Sequence, residues 1–143
     1  MTAVDGVEMT VVAGHAFGER SPVAVLTDTL YVSLEFEAGA QLRIPAEHGE
    51  RALYAVEGEL SLDGLPLPLN TLAVLDPGTT PLLRASRRSR AMLLGGAPLD
   101  GPRFVWWNFV SSNRERIEHA KRDWAAGRFD AVPGETEFIP LPD

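Results

Sequence analysis

Residues 45–60 contain the side chains best suited to metal chemistry. His48 and Glu50 are two positions apart, so on a β-strand both would lie on one face. Glu57 and Glu59 follow an apolar run with the same spacing. Imidazoles and carboxylates are the ligands of non-haem iron, which makes a metal site the first hypothesis to test.

The histidine count argues against that hypothesis. The chain has three histidines: His15 precedes the first strong strand pattern, His48 lies in the stretch above, and His119 falls on a predicted helix. A facial iron site needs at least two histidines and a carboxylate. One histidine with scattered carboxylates would bind iron weakly, so we predict no metal ligand and no cofactor.

Other catalytic patterns are missing from the sequence. It has no cysteine, which excludes disulfides and thiolate sites, and it lacks the G-x-S-x-G, G-x-G-x-x-G and phosphate-loop patterns. We therefore predict no catalytic residue and favour a non-enzymatic function.

Two interpretations of the 45–60 stretch stay open. His48 could be a polar residue at a loop-to-strand junction, with Glu50 and Glu57 as solvated carboxylates at strand ends. Alternatively, His48, Glu50, Arg51 and Tyr54 could line the mouth of an apolar barrel and bind a small ligand.

The elements around this stretch are predicted to be strands. Leu30, Val32, Leu34 and Phe36 alternate with polar residues, and turn signals recur every 8 to 12 residues, which is typical of an all-β sandwich or barrel. Asp63-Gly64 predicts a hairpin. A second hairpin is predicted around the arginine cluster at 84–90. Residues 104–110 are predicted to form the last strand, with Trp106 and Trp107 on its opposite faces.

After residue 110 the period changes to that of a helix. Ser112 and Glu115 form a capping-box pattern and Gly127 is a stop signal, which predicts one helix over about 113–126. The proline-rich tail, 130–143, is expected to be extended and to pack along the barrel. The length of 143 residues suits a single domain, 1–143.

Charge and hydropathy limit the possible partners. The net charge of −7 disfavours direct nucleic-acid binding. No apolar run is long enough to span a membrane, and the first residues do not resemble a signal peptide. We expect a cytoplasmic protein.

Several motifs resemble the C-terminal end of pirin-family proteins. They are the run WWNFVSS at 106–112, Gly127-Arg128-Phe129, Pro133-Gly134 and EFIPLP at 137–142, together with AGHAFGERSPV at 13–23. The resemblance implies a cupin, a jelly-roll β-barrel, with one C-terminal helix and an extended tail. Pirins are bicupins whose N-terminal cupin binds iron through three histidines and a glutamate, and whose C-terminal cupin usually has no metal. This chain is similar to that second cupin.

Alignment with the metal-bearing cupin of the family supports the metal-free prediction. The two histidine positions of its H-x-H motif fall on Ile44 and Ala46, and His48 falls on a non-ligand position. The turn at Asp76-Pro77-Gly78 is kept, but no histidine follows it.

The resemblance predicts a non-catalytic half of a bicupin that acts through protein contacts. Its expected partner is a second copy in a homodimer or another cupin domain, and the family also suggests a regulatory protein partner. The alternatives are a small-molecule-binding cupin and, if a metal is found, a quercetinase-type dioxygenase.

Overall fold

The computed structural model describes residues 2–142, and its contacts define two compact units that divide between Pro98 and Leu99. The first unit contains eleven strands, and the second a short hairpin and one helix. The division into two units does not test the prediction of a single domain over 1–143, which stays a prediction. The strands are β1 Thr2–Val4, β2 Val7–Ala16, β3 Glu19–Arg20, β4 Thr29–Phe36, β5 Gln41–Arg43, β6 Glu50–Glu57, β7 Leu60–Leu62, β8 Leu65–Leu67, β9 Leu72–Leu75, β10 Leu82–Ala85, β11 Ser89–Gly96, β12 Phe104–Trp106 and β13 Phe109–Ser111, and the helix α1 is Arg114–Ala125.

Two antiparallel sheets form the first unit. The larger has the order β1-β2-β4-β11-β6-β9, with β3 paired to β2, and the smaller has the order β5-β10-β7-β8. Buried apolar side chains from both sheets belong to one core. The all-β prediction is confirmed, and the arrangement is that of a β-sandwich in which each strand has an inner and an outer face.

Strand β4 forms as its sequence predicts. Leu30, Val32, Leu34 and Phe36 are buried and the residues between them are half-buried. Burying each of these side chains contributes about 1.5–3 kcal/mol to folding. This strand is central in the larger sheet, between β2 and β11, and so fixes the position of both neighbours.

The two predicted hairpins of this unit have different outcomes. Leu62 pairs with Leu65 across the Asp63-Gly64 turn, whose φ angles of +48° and +83° belong to a type I′ turn, so that hairpin is confirmed. The hairpin around the arginine cluster is wrong. Strand β10 pairs with β5 and β7, whereas β11 pairs with β4 and β6, so the chain crosses between sheets there.

In the second unit, residues 104–110 do not form one strand. They belong to a hairpin in which Trp106 pairs with Phe109, and Trp107 lies in the turn with φ of +50°. The prediction that Trp106 and Trp107 occupy opposite faces of a strand is therefore wrong. Both rings pack in an aromatic cluster, Trp107 against Trp124 of α1 with 5.1 Å between ring centroids.

Asn113, rather than Ser112, caps the helix. Its side chain accepts a hydrogen bond from the Glu115 backbone N–H at 2.7 Å, and the helix then runs from Arg114 to Ala125. After Gly127 the described part of the tail, 130–142, forms neither helix nor strand, and the last residue of the predicted range lies outside the described residues. Within residues 2–142, no helix is both long and apolar enough to cross a membrane.

Candidate histidine–carboxylate site

Four polar side chains from three segments meet at one end of the larger sheet. His15 lies near the end of β2, Asp28 immediately precedes β4, and Glu47 and His48 lie in the connection from β5 to β6. The sequence-based expectation that His15 precedes the first strong strand is wrong, because β2 is a ten-residue strand that contains it.

Asp28 joins the two histidines. One carboxylate oxygen, Oδ1, lies 3.0 Å from His15 Nε2, and the other, Oδ2, lies 3.2 Å from His48 Nδ1. Burial tends to raise the pKa of the Asp28 carboxyl, but hydrogen bonds and charge from His48, and then from His15, hold that pKa below its ordinary value. The carboxylate form of Asp28 is thus favoured by both imidazoles.

The His48 ring is the buried member of the group, with its side chain only 1% exposed. Its Nε2 lies 2.9 Å from the backbone carbonyl oxygen of His15. A carbonyl oxygen only accepts, so Nε2 carries a proton and donates it. The other ring nitrogen, Nδ1, faces the Asp28 carboxylate, and a hydrogen bond to that carboxylate requires a proton on Nδ1 as well.

Glu47 brings a second carboxylate to the same place. Its Oε2 accepts a hydrogen bond from the Phe17 backbone N–H at 3.2 Å, which holds the side chain over the end of β2. One potential ligand atom each from His15, Glu47 and His48 lies within 4.8 Å of the other two. Residues 33 positions apart in the chain thus form a compact set of nitrogen and oxygen donors.

Two glycines allow these segments to approach closely. A Cβ atom at Gly14 would lie 1.7 Å from the Thr29 carbonyl oxygen, and the φ of Gly14 is +76°. On β11, a Cβ at Gly96 would lie 2.2 Å from the carbonyl oxygen of Asp28. Any larger residue at either position would separate the backbone that supports Asp28 from its neighbours.

Of the four residues predicted to line a barrel mouth, Glu50 and Arg51 both line one groove. His48 belongs to the group described above. Strand β6 places Arg51 on its buried face, while Glu50 and Tyr54 lie on the opposite face. The Tyr54 hydroxyl donates to Asn70 Oδ1 at 3.3 Å, and Glu50 is exposed at the start of the strand. Among these four, His48 and Arg51 are buried.

Arg51 is held at the end of the core by backbone carbonyls. Its two terminal nitrogens donate to Pro45 O at 2.8 Å and to Asp76 O at 3.0 Å. Its Nε is buried and has no hydrogen-bond partner among the described residues. Arg51 also lines a groove of about 460 Å³ beside Ala52, Leu72 and Leu94.

One of the two positions where the family's metal-bearing cupin would hold histidines lies in the apolar core of this chain. Ile44, one of the two aligned positions, is fully buried, whereas Ala46, the other, is exposed. Neither side chain can donate to a metal. The histidine–carboxylate group of this chain therefore uses other positions than the aligned pair.

Sequence reasoning missed His15, Asp28 and Glu47 because their proximity depends on pairing distant segments. The available signal was weak: Gly14 beside His15 marks a close backbone approach within a strand pattern, but it does not identify the partner segment.

Comparisons with known proteins agree on fold and family. The model of the pirin C-terminal cupin domain matches residues 31–130. A "Pirin-like protein" of Caulobacter vibrioides is 47% identical over 139 residues, covering 96% of this chain and 48% of that protein. "Putative quercetin 2,3-dioxygenase PA1205" of Pseudomonas aeruginosa is 33% identical, covering 90% of this chain and 43% of that protein.

Solved structures give the same picture. A crystal structure of quercetin 2,3-dioxygenase from Acinetobacter baumannii superposes with a TM-score of 0.89 at 28% identity, over 99% of this chain and 49% of that one. A cupin domain of a transcriptional regulator from Enterobacter cloacae, at 17% identity and a TM-score of 0.52, covers 66% of this chain and 99% of its own, and shows the fold alone. The chain spans about half the length of the relatives it matches, and the predicted cupin fold is confirmed.

Proposed function

Since the chain belongs to the pirin family, through its C-terminal cupin domain, we propose that it acts through protein contacts and performs no catalysis of its own. The partner is a second cupin domain, either another copy of this chain or a cupin of the metal-bearing type. A regulatory protein would then bind the assembled pair.

The filled core supports a non-catalytic role. The largest fully buried side chains are apolar, among them Phe36, Ile44 and Leu53. At the two positions aligned with the family's histidine ligands this chain has Ile44 and Ala46, and neither side chain can donate to a metal. The buried polar residues are few and hydrogen-bonded, apart from Nε of Arg51.

The outer face of β6, β9 and β11 carries the proposal. Strand β9 is at the edge of the larger sheet, and its Leu72 and Val74 are 52% and 79% exposed. Cross-strand pairing extends this apolar surface over two rows, which we call the outer apolar face: Leu72, Tyr54 and Met92 in one row, and Val74, Ala52 and Leu94 in the other.

Such a face is suited to a protein partner. Apolar side chains in contiguous cross-strand rows, next to an open strand edge, are characteristic of surfaces that pack against another protein. Because the relatives are about twice as long as this chain, a second cupin domain is the partner of matching size.

Sedimentation equilibrium of the purified chain tests the proposal. A self-associating species whose mass approaches twice 15.5 kDa is expected as the concentration rises. A strictly monomeric mass throughout, together with failure to bind a separately produced metal-bearing pirin cupin, would contradict it.

Small-molecule binding is the second candidate, and one observation favours it. The groove of about 460 Å³ beside Ala52 and Leu72 is lined mainly by apolar side chains. An apolar groove of this volume would suit a flat aromatic ligand. A flavonoid screen by thermal shift tests it, since binding to the folded state must raise the melting temperature.

A quercetinase-type dioxygenase is the remaining alternative, suggested by the names of two relatives. It requires a bound metal that is open to the substrate. Oxygen consumption with quercetin by the metal-loaded chain would favour this alternative, and its absence would favour the non-catalytic proposal.

A further inference from the structure

We propose that His15, Glu47 and His48 bind a divalent transition-metal ion of the zinc type, with Asp28 completing the site. The position of this site differs from that of the family's aligned ligands, because Ile44 and Ala46 occupy those places. None of these four residues belongs to the outer apolar face.

The donor set suits such an ion. Two imidazoles and one or two carboxylates are ligands for zinc and neighbouring metals, whereas calcium and magnesium prefer oxygen alone. With neutral imidazoles, the ionised Asp28 and Glu47 provide two negative charges, which balance a divalent cation.

The distances are close to those of a bound site. Tetrahedral zinc with bonds of about 2.0–2.2 Å separates its donor atoms by about 3.4 Å. Asp28 already lies 3.0 Å and 3.2 Å from the two imidazole nitrogens, and the ligand atoms of His15, Glu47 and His48 lie within 4.8 Å of one another. Modest side-chain rotations would bring these donors into range.

His48 is already oriented as a metal ligand. Its Nε2–H donates to the His15 carbonyl oxygen, so a metal ion would bind at Nδ1 and replace the proton that this nitrogen shares with Asp28. A ligating histidine usually donates its second ring N–H to a carbonyl or carboxylate, which fixes the tautomer and the ring plane. Here the ring is also fixed by burial.

Glu47 is similarly prepared. The Phe17 N–H holds its Oε2, which leaves Oε1 free of any hydrogen bond found in the described part of the chain. The side chain is exposed, so an ion from solvent can reach it before reaching the buried His48. This arrangement provides an entry path as well as a ligand.

Metal binding would connect β2, the start of β4 and the connection before β6. Since those segments are far apart in the sequence, an ion that binds only the folded chain would raise its thermal stability by mass action. The experiment therefore measures both binding and melting temperature.

Untagged, chelator-treated protein is titrated with Zn²⁺ by isothermal calorimetry, and its melting temperature is recorded with Zn²⁺ and with Mg²⁺. One Zn²⁺ per chain and a rise in melting temperature with Zn²⁺ alone are expected. Intense visible absorption on adding Co²⁺ would report tetrahedral coordination by these donors.

The variants His15→Ala and Glu47→Gln remove partly exposed donors and should weaken Zn²⁺ binding by at least about tenfold. His119→Ala is the matched control. His119 lies 2.9 Å from Asp123 on α1, but belongs to no group of three donors among the described residues. Zn²⁺ binding that is absent from the folded wild-type protein, or that is lost equally in the control, would overturn the proposal.

Discussion

The His48 imidazole packs against the His15 ring, with 4.6 Å between the ring centroids, and donates to the carbonyl oxygen of the same residue at 2.9 Å. One histidine thus contacts both the side chain and the backbone of the other. Asp28 bridges the two rings, with one carboxylate oxygen beside a nitrogen of each. The stability of this end of the sheet is therefore expected to depend on a few polar contacts as well as on the apolar core.

Asp28→Asn should destabilise the chain by about 1–3 kcal/mol in chelator, because the buried His48 ring loses its charged partner. Urea denaturation followed by circular dichroism measures the change. Asp130→Asn is the control, since Asp130 is an exposed carboxylate outside this group, and it should change the free energy of unfolding by less than about 0.5 kcal/mol. Equal effects of the two substitutions would contradict the bridging role of Asp28.

Gly14→Ala should destabilise the chain more than a glycine-to-alanine change at a position where an added Cβ meets open space. Its Cβ would collide with the Thr29 backbone, so β2 and β4 would have to separate. Gly39→Ala is a matched comparison, because Gly39 has a similar φ of +84° and nothing within 4 Å of an added Cβ.

Gly39→Ala should cost about 1–2 kcal/mol for its backbone conformation alone. Gly14→Ala should exceed this cost by several kcal/mol or leave the chain unfolded, as judged by denaturant titration and near-ultraviolet circular dichroism. Similar stabilities of the two variants would show that the close approach at Gly14 is easily relaxed.

Val74→Lys should abolish self-association, because it places a charge at the open β9 edge of the outer apolar face, where a partner would have to desolvate it. Sedimentation velocity measures the association. Leu65→Lys is the control: Leu65 is 73% exposed but lies on β8 in the smaller sheet. If Leu65→Lys weakens association as much as Val74→Lys, the contact surface lies elsewhere.

Arg51→Leu should reduce the free energy of unfolding by about 2–4 kcal/mol, since two carbonyl groups, of Pro45 and Asp76, lose charged donors at the end of the core. The exposed Arg43 also donates to a carbonyl, of Thr80 at 2.8 Å. Arg43→Leu should cost less than about 1 kcal/mol, because water can replace that contact. Denaturant titration compares the two variants. Equal losses of unfolding free energy would contradict the expectation that burial makes the Arg51 contacts matter more than the Arg43 contact.

Local patterns predicted the parts of the fold that depend on local chemistry. The alternation of β4 and the Asp63-Gly64 turn need only neighbouring residues, and both form as expected. The chain crossing after Ala85 could not be distinguished from a hairpin, because the same polar turn residues serve either connection. Trp107 gave no turn signal, since its φ of +50° is unusual for a bulky residue.

The candidate site was only partly accessible to sequence reasoning. His48 is conspicuous by its residue type, but its importance here comes from Asp28 and His15, which approach it through sheet pairing. Register between distant strands is set by the whole core, so it cannot be derived from one segment. Arg51 lies on the buried face of its strand, and its predicted role at a barrel mouth stays a prediction.

The connection from β5 to β6 is tied to the rest of the first unit at three points. Arg51 holds the Pro45 carbonyl, Phe17 holds Glu47, and His48 donates to His15. Exposed loops are usually where proteases cut and where inserted peptides are tolerated. This connection, held by these contacts, is expected to resist both cleavage and insertion.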